Sequence, residues 1–250
     1  LLGEVVMEPA KVAPYFGTPE KPECHMLYNV TTMATTWHTL ATGDASLLKR
    51  QMEAVCALPK DFLFLNYLRC HDDIGWGLDY PWLQERFHIF EVAHKKYLND
   101  WFTSRWPGSP ARGELYNDDP RLGDARLCGT TASLCGVEAA DFEGDPFKLE
   151  RAVACDLTLH AWMLSQSGIP VVYSGDEIGQ FNDYTYHSHP DRWADSRYLH
   201  RGRFQWGLAA LRGDLDTYQG RLFQGLRRLE GLRAKEPCFD GDADVQVEDS

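Results

Sequence analysis

The stretch from Phe62 to Trp76 limits the fold more than any other. An apolar run, Phe62 to Leu68, stops abruptly in His71-Asp72-Asp73-Ile74-Gly75. Apolar side chains at both odd and even positions suit a parallel strand covered on both faces. Such a strand cannot bury two adjacent carboxylates, so Asp72 and Asp73 belong at its C-terminal end. In a β/α barrel that is the end where active-site groups collect. By itself the stretch is read more plainly as a strand ending in a solvated acidic turn.

A second run, Ile169 to Tyr173, ends in Ser174-Gly175-Asp176-Glu177. Pro170 is tolerable near a strand's start but not in its middle. Leu1 to Glu4 reads as a strand end and Met26 to Val30 as another short apolar run, with a loop or short helix near Val12 to Gly17 between them. Helices are expected over Thr31 to Ala41, closed near Gly43, and over Asp44 to Leu58. In the second, Asp44 is the N-cap and Leu47, Leu48, Met52, Val55 and Cys56 form one stripe. A third runs from Pro146 to Gln166 behind the face Val153, Leu157, Ala161 and Leu164, with Gly168 in the place of a C-terminal glycine cap. Leu208 to Leu232 reads as a terminal helix or pair. Helices preceding strands argue for β/α units and a parallel sheet. Between the two acidic strand ends, a helix over Pro81 to Phe102 leads into Trp106 to Gly129. That Gly- and Pro-rich stretch is too long for a simple connection and reads as an insertion folding over a site.

The 250 residues, 44% hydrophobic, are enough for one large domain or two small ones. Thirty-seven acids against 25 bases give a net charge of −12, which argues against nucleic-acid or anionic-membrane partners. Eight tryptophans fit either a large aromatic core or a surface that stacks sugar rings. The seven cysteines are dispersed without a zinc-like spacing. They are expected to be reduced thiols, which favours a cytoplasmic compartment, and no metal site is expected. The chain starts Leu1-Leu2-Gly3-Glu4, without an initiator methionine, and is expected to be a piece of a longer protein.

His71-Asp72-Asp73 and Gly175-Asp176-Glu177-Ile178-Gly179 together resemble the α-amylase family of retaining glycoside hydrolases and transglycosylases. Within it, Asn66 to Trp76, Gly168 to Tyr184 and Asp195 to Arg201 are most similar to the amylosucrases. The resemblance implies an α/β fold, the strand 5–8 half of a (β/α)8 TIM barrel with an insertion after strand 7. Residues 1–77 would hold strands 5 to 7 and 78–145 the insertion. Residues 146–236 would supply helix 7, strand 8 and the terminal helices, and 237–250 would begin a C-terminal β-domain. It also implies that Glu4 is the acid/base and Asp72 the carboxylate that stabilises the transition state. The nucleophile would precede Leu1, and no residue of the chain matches it. His71 would contact the sugar, and Arg126 would line the acceptor side. Lys95 stands where an arginine is more usual. Asp73 and Arg197 would pair to close the pocket, with Arg201 the reserve candidate. Sucrose and an α-glucan are the implied substrates, water or fructose the rival acceptors, and no cofactor is required. A catalytically dead carbohydrate-binding homologue is the alternative from another class.

Overall fold

The computed structural model describes residues 1–7, 9–119, 121–240, 243 and 245–248. Its centre is a parallel sheet of four strands, β1 (Leu2–Gly3), β2 (Met26–Tyr28), β3 (Leu63–Tyr67) and β6 (Ile169–Val171), in that spatial order. Leu2 pairs with Met26, Leu27 with Phe64 and Tyr67 with Val171, so all four C-terminal ends lie along one side. The intervening strands β4 (Glu114–Asp119) and β5 (Asp124–Cys128) form a separate antiparallel hairpin.

The expected helices form, with informative differences. α1 (Val30–Thr42) is closed by Gly43 in the left-handed conformation. α2 (Ser46–Cys56) starts beside Asp44, whose carboxylate accepts the Ser46 N–H at 2.8 Å. The helix expected over Pro81 to Phe102 is two, α3 (Tyr80–Phe87) and α4 (Glu91–Phe102). The break is His88, a non-glycine residue at φ 56° that closes α3 through an N–H bond to Gln84. After α5 (Val137–Glu143), the long α6 (Pro146–Ser165) opens on Asp145, which accepts from the N–H groups of Phe147 and Lys148. Gly168 is not the cap of α6, because Gln166 ends that helix. At Gly168 the backbone has φ 104°, and a Cβ would stand 2.3 Å from the Phe64 carbonyl oxygen, so only glycine lets β6 approach β3. Pro170 sits in the middle of β6 after all, which is an edge strand among the described residues, where a missing N–H is tolerated. α7 (Tyr218–Arg233) packs against α6 and is capped by the Thr217 hydroxyl, which accepts the Gly220 N–H. The expected β-domain start at 237–250 falls partly outside the described residues; within them Pro237–Phe239 forms a single 3-10 turn.

One core joins these parts. Trp37 of α1 meets Phe102 of α4 edge-on at 5.7 Å, and Leu83, Leu98, Leu127 and Leu134 share that cluster with Tyr67 and Leu68. The Trp37 indole N–H also donates to the Leu68 carbonyl at 2.7 Å, fixing the chain where it leaves β3. The segment after β3 is therefore held in the same core as the strands.

Inside that core the rings of His38 and His94 meet at a tilt of 56° with centroids 5.0 Å apart. Burial, reinforced by His94, lowers the His38 pKa to about 4, while Asp44 opposes the shift; burial lowers His94 too. The unfolded chain protonates these rings near their ordinary value of about 6.5, the folded chain only at lower pH. Their contribution is therefore complete above about pH 6.5 and is lost as pH falls, by up to ~1.4 kcal/mol per unit for each ring. Thermal unfolding at pH 7 and pH 5 should show this loss, and His38→Phe should flatten the slope. An unchanged slope would assign the acid sensitivity elsewhere.

Candidate active site

Beyond β3 the backbone turns through Arg69 and Cys70 into the acidic loop. Ile74 then pairs with Leu127 of the hairpin through reciprocal N–H···O bonds of 2.8 and 2.9 Å. This bridge brings Arg126 opposite Gly75, and a Cβ at Gly75 would lie 2.5 Å from the Arg126 guanidinium. With no side chain there, Arg126 lies over the backbone and reaches Asp73 at 3.8 Å. Burial raises the Asp73 pKa, while Arg126 acts against that shift.

Asp72 lies on the open side of the loop with its side chain one-third exposed (33%). Arg201 donates to its Oδ1 at 3.0 Å, Arg197 lies at 3.5 Å and the His71 ring at 3.3 Å. Arg201 also donates to the His71 carbonyl at 2.6 Å, so one guanidinium holds both the carboxylate and the backbone beside it.

The expected Asp73–Arg197 pair does not form. Arg197 instead grips Asp195 through two bonds of 2.8 and 2.9 Å and lies over the Tyr116 ring at 4.6 Å. Asp195 is two residues away and also accepts the Arg197 N–H, so little chain entropy is spent in closing that contact. Arg197 holds the Asp195 carboxyl below its ordinary range. Lys95 serves the framework: it pairs with Glu91 at 2.8 Å, reaches Asp124 of the hairpin at 3.7 Å and lies over Tyr80.

Glu4 follows β1 and is exposed. It and Asp72 act on the same three groups: burial, then Cys70, then the two carboxylates raise the pKa values of Tyr28 and Tyr67, and burial followed by Asp72 and Glu4 raises that of Cys70. Tyr28 and Tyr67 meet edge-on at 5.3 Å, forming an aromatic floor between the ends of β2 and β3. The structure thus brings six expected residues into one neighbourhood after β3, namely His71, Asp72, Asp73, Arg126, Arg197 and Arg201. Glu4 lies near enough to act on Tyr28, Tyr67 and Cys70.

Two supports, His200 and Arg69, were not singled out from the sequence. His200 is buried, its Nδ1 accepting the Gly129 N–H at 3.1 Å while Nε2 faces the His71 carbonyl at 3.3 Å. Burial, followed by the Arg69 charge, lowers its pKa to about 3, so it remains a neutral spacer between the hairpin and the acidic loop. Arg69 is buried against Asp176, with Nε and a terminal nitrogen 2.9 and 2.7 Å from one carboxylate oxygen. Thr131 donates to the other oxygen at 2.9 Å. Asp176 is consequently engaged in holding the end of β6. Among the described residues no cluster of three or more His, Cys, Asp or Glu is arranged to hold a metal ion, and no helix is long and apolar enough to cross a membrane.

No family model matches the sequence. Solved structures do resemble the fold over nearly all of the chain. A sucrose 6F-phosphate phosphorylase from Thermoanaerobacter thermosaccharolyticum aligns with a TM-score of 0.64 at 19% identity, over 96% of this chain and 41% of its own. A cyclic alpha-maltosyl-(1→6)-maltose hydrolase from Arthrobacter globiformis aligns at 0.50 and 18% identity, over 95% of this chain and 34% of its own. An α-amylase from H. orenii gives 0.50 at 14% identity, over 96% and 37%. The chain spans about two fifths of the first of these structures (41%). Its parallel sheet, helices and hairpin have a mixed α/β arrangement matching part of a TIM-barrel glycoside hydrolase.

Proposed function

We propose that this chain is the strand 5–8 portion of a retaining, α-glucoside-active enzyme that transfers a glucosyl group from sucrose to an α-glucan and releases fructose. The observation that carries the reading is Asp72, held at the C-terminal end of β3 by Arg197, Arg201 and His71, with Glu4 acting on the same Tyr28–Tyr67 pair as Asp72. In this reading Glu4 first protonates the leaving oxygen, then removes a proton from the acceptor hydroxyl. Asp72 supplies negative charge beside the oxocarbenium-like transition state. The two arginines and His71 hold its carboxylate in place as that charge develops. Asp73 and Arg126, joined across Gly75, border the acceptor side. The structural likeness to a sucrose 6F-phosphate phosphorylase and to a maltosyl-maltose hydrolase supports a sugar substrate.

Retention also needs a nucleophilic carboxylate roughly 5–5.5 Å from the acid/base group. That group is assigned to a strand that would pair with β1, whose outer edge has no partner among the described residues. The 250-residue chain alone is accordingly expected to turn over no sucrose. Turnover by this chain would overturn the assignment. The enzyme carrying the remaining strands, given sucrose alone, should yield fructose and a lengthening glucan. Equimolar glucose and fructose would indicate a hydrolase, and an isomeric disaccharide an isomerase. Sugar binding without turnover would mean a binding homologue.

A further inference from the structure

Two of the seven cysteines line one cavity, which shares no lining residue with the acidic loop. Cys135 ends the short helix Thr131–Leu134, and Cys155 lies in the middle of α6. Both line a cavity of about 490 Å³ whose other walls include Trp101, Pro110 and Ala139. Lys148 and Arg151, both exposed, also line it, so it opens to solvent along α6. Cys135 is buried and Cys155 half-buried, and neither is in a disulfide. An isolated buried cysteine is usually a small hydrophobe. Here two thiols line one space that a small solute can enter, and each acts on the protonation of the other.

We propose that Cys135 and Cys155 are an oxidisable dithiol, which a hydroperoxide converts to an intramolecular disulfide. Their surroundings divide their roles. Cys135 lowers the proton affinity of Cys155 against the effect of burial, while burial, and then Cys155, raise that of Cys135. Cys155, the more accessible and more readily ionised, attacks the peroxide oxygen. The O–O bond breaks, giving a sulfenic acid and, after protonation by the released thiol proton, water. The Cys135 sulfur then attacks the Cys155 sulfur, the S–OH bond breaks, and the Cys135 proton leaves with hydroxide as a second water. Two thiols are oxidised by two electrons and one peroxide is reduced. The short helix that Cys135 ends also carries Thr131, the hydrogen-bond partner of Asp176. Drawing the sulfurs together to about 2.05 Å therefore pulls on the support of the β6 end.

The test treats the chain with hydrogen peroxide, alkylates remaining thiols and maps peptides by mass spectrometry. The expected product is a Cys135–Cys155 linked peptide, lighter by two hydrogens and separated by dithiothreitol. Exposed Cys238 reports that oxidant was present. Cys155→Ser should abolish the link, and the wild-type peptide map decides the matter even where that variant does not fold. Oxidation of Cys238 with both core thiols left reduced, or Cys155 driven to sulfinic acid without a link, would overturn the proposal.

Discussion

Glu4→Gln in the complete enzyme is expected to lower glucosyl transfer from sucrose by a factor of about 10²–10⁴ while sucrose binding survives. Glutamine keeps the shape of the side chain and its hydrogen bonding but cannot give up a proton to the leaving oxygen. The loss should therefore depend on the leaving group. Sucrose releases an alkoxide that needs protonation, whereas an α-glucosyl fluoride or nitrophenyl glucoside departs with little help. Activated substrates should be partly spared in the first half of the reaction. Asp72→Asn makes the contrast, because its carboxylate opposes the charge of the oxocarbenium-like state whichever group leaves. That variant should lose activated and natural substrates alike. If Glu4→Gln also loses both equally, Glu4 is not the acid, and the exposed side chain after β1 has some other role.

The position of the acidic pair was legible because it rests on local chemistry, whereas the role of Glu4 came from the family resemblance alone. Apolar residues on both parities, halted by Asp72-Asp73, leave few positions for the acidic pair other than the exit of a buried parallel strand. Helix ends were likewise readable where the signal was one residue's own backbone preference, as at Pro146 and Gly43. Partners distant in sequence were not. Nothing near Asp73 announces that Arg126 faces it, since the contact depends on the Ile74–Leu127 bridge and on the missing side chain of Gly75. The hairpin strand Glu114–Asp119 was hidden for another reason: it is mostly polar, with Asn117 at positive φ and a register shift in the ladder. The break between α3 and α4 escaped because a histidine, not a glycine or proline, takes the left-handed position.

The second large effect is expected at Arg69 and Asp176. Each side chain is 2% exposed, and the carboxylate has Arg69 on one oxygen and Thr131 on the other. The Tyr173 ring stands 4.6 Å from the guanidinium. A pair so placed gave up its hydration when the chain folded, so its net contribution is small even though each partner depends on the other. Removing one partner leaves an uncompensated buried charge, which costs about 3–5 kcal/mol. For a chain of this size that is on the order of 10 °C in Tm. Asp176→Leu and Arg69→Met should each show a loss of this size by thermal or denaturant unfolding. The double variant should be more stable than either single one, because it leaves no charge stranded in the core. A second buried pair tempers the expectation for Asp176. Asp156 and His160 lie 2.9 Å apart, and burial raises the Asp156 pKa while Arg69 opposes that shift. When Asp176 is lost, Asp156, whose carboxyl already feels the Arg69 charge, can recover part of the interaction only in its charged form. The Asp176→Leu deficit should therefore grow as pH falls and Asp156 takes up a proton, whereas the double variant should show no such trend. Losses in the single variants that simply add in the double one would mean that Arg69 and Asp176 act independently, and that the end of β6 is held by packing alone.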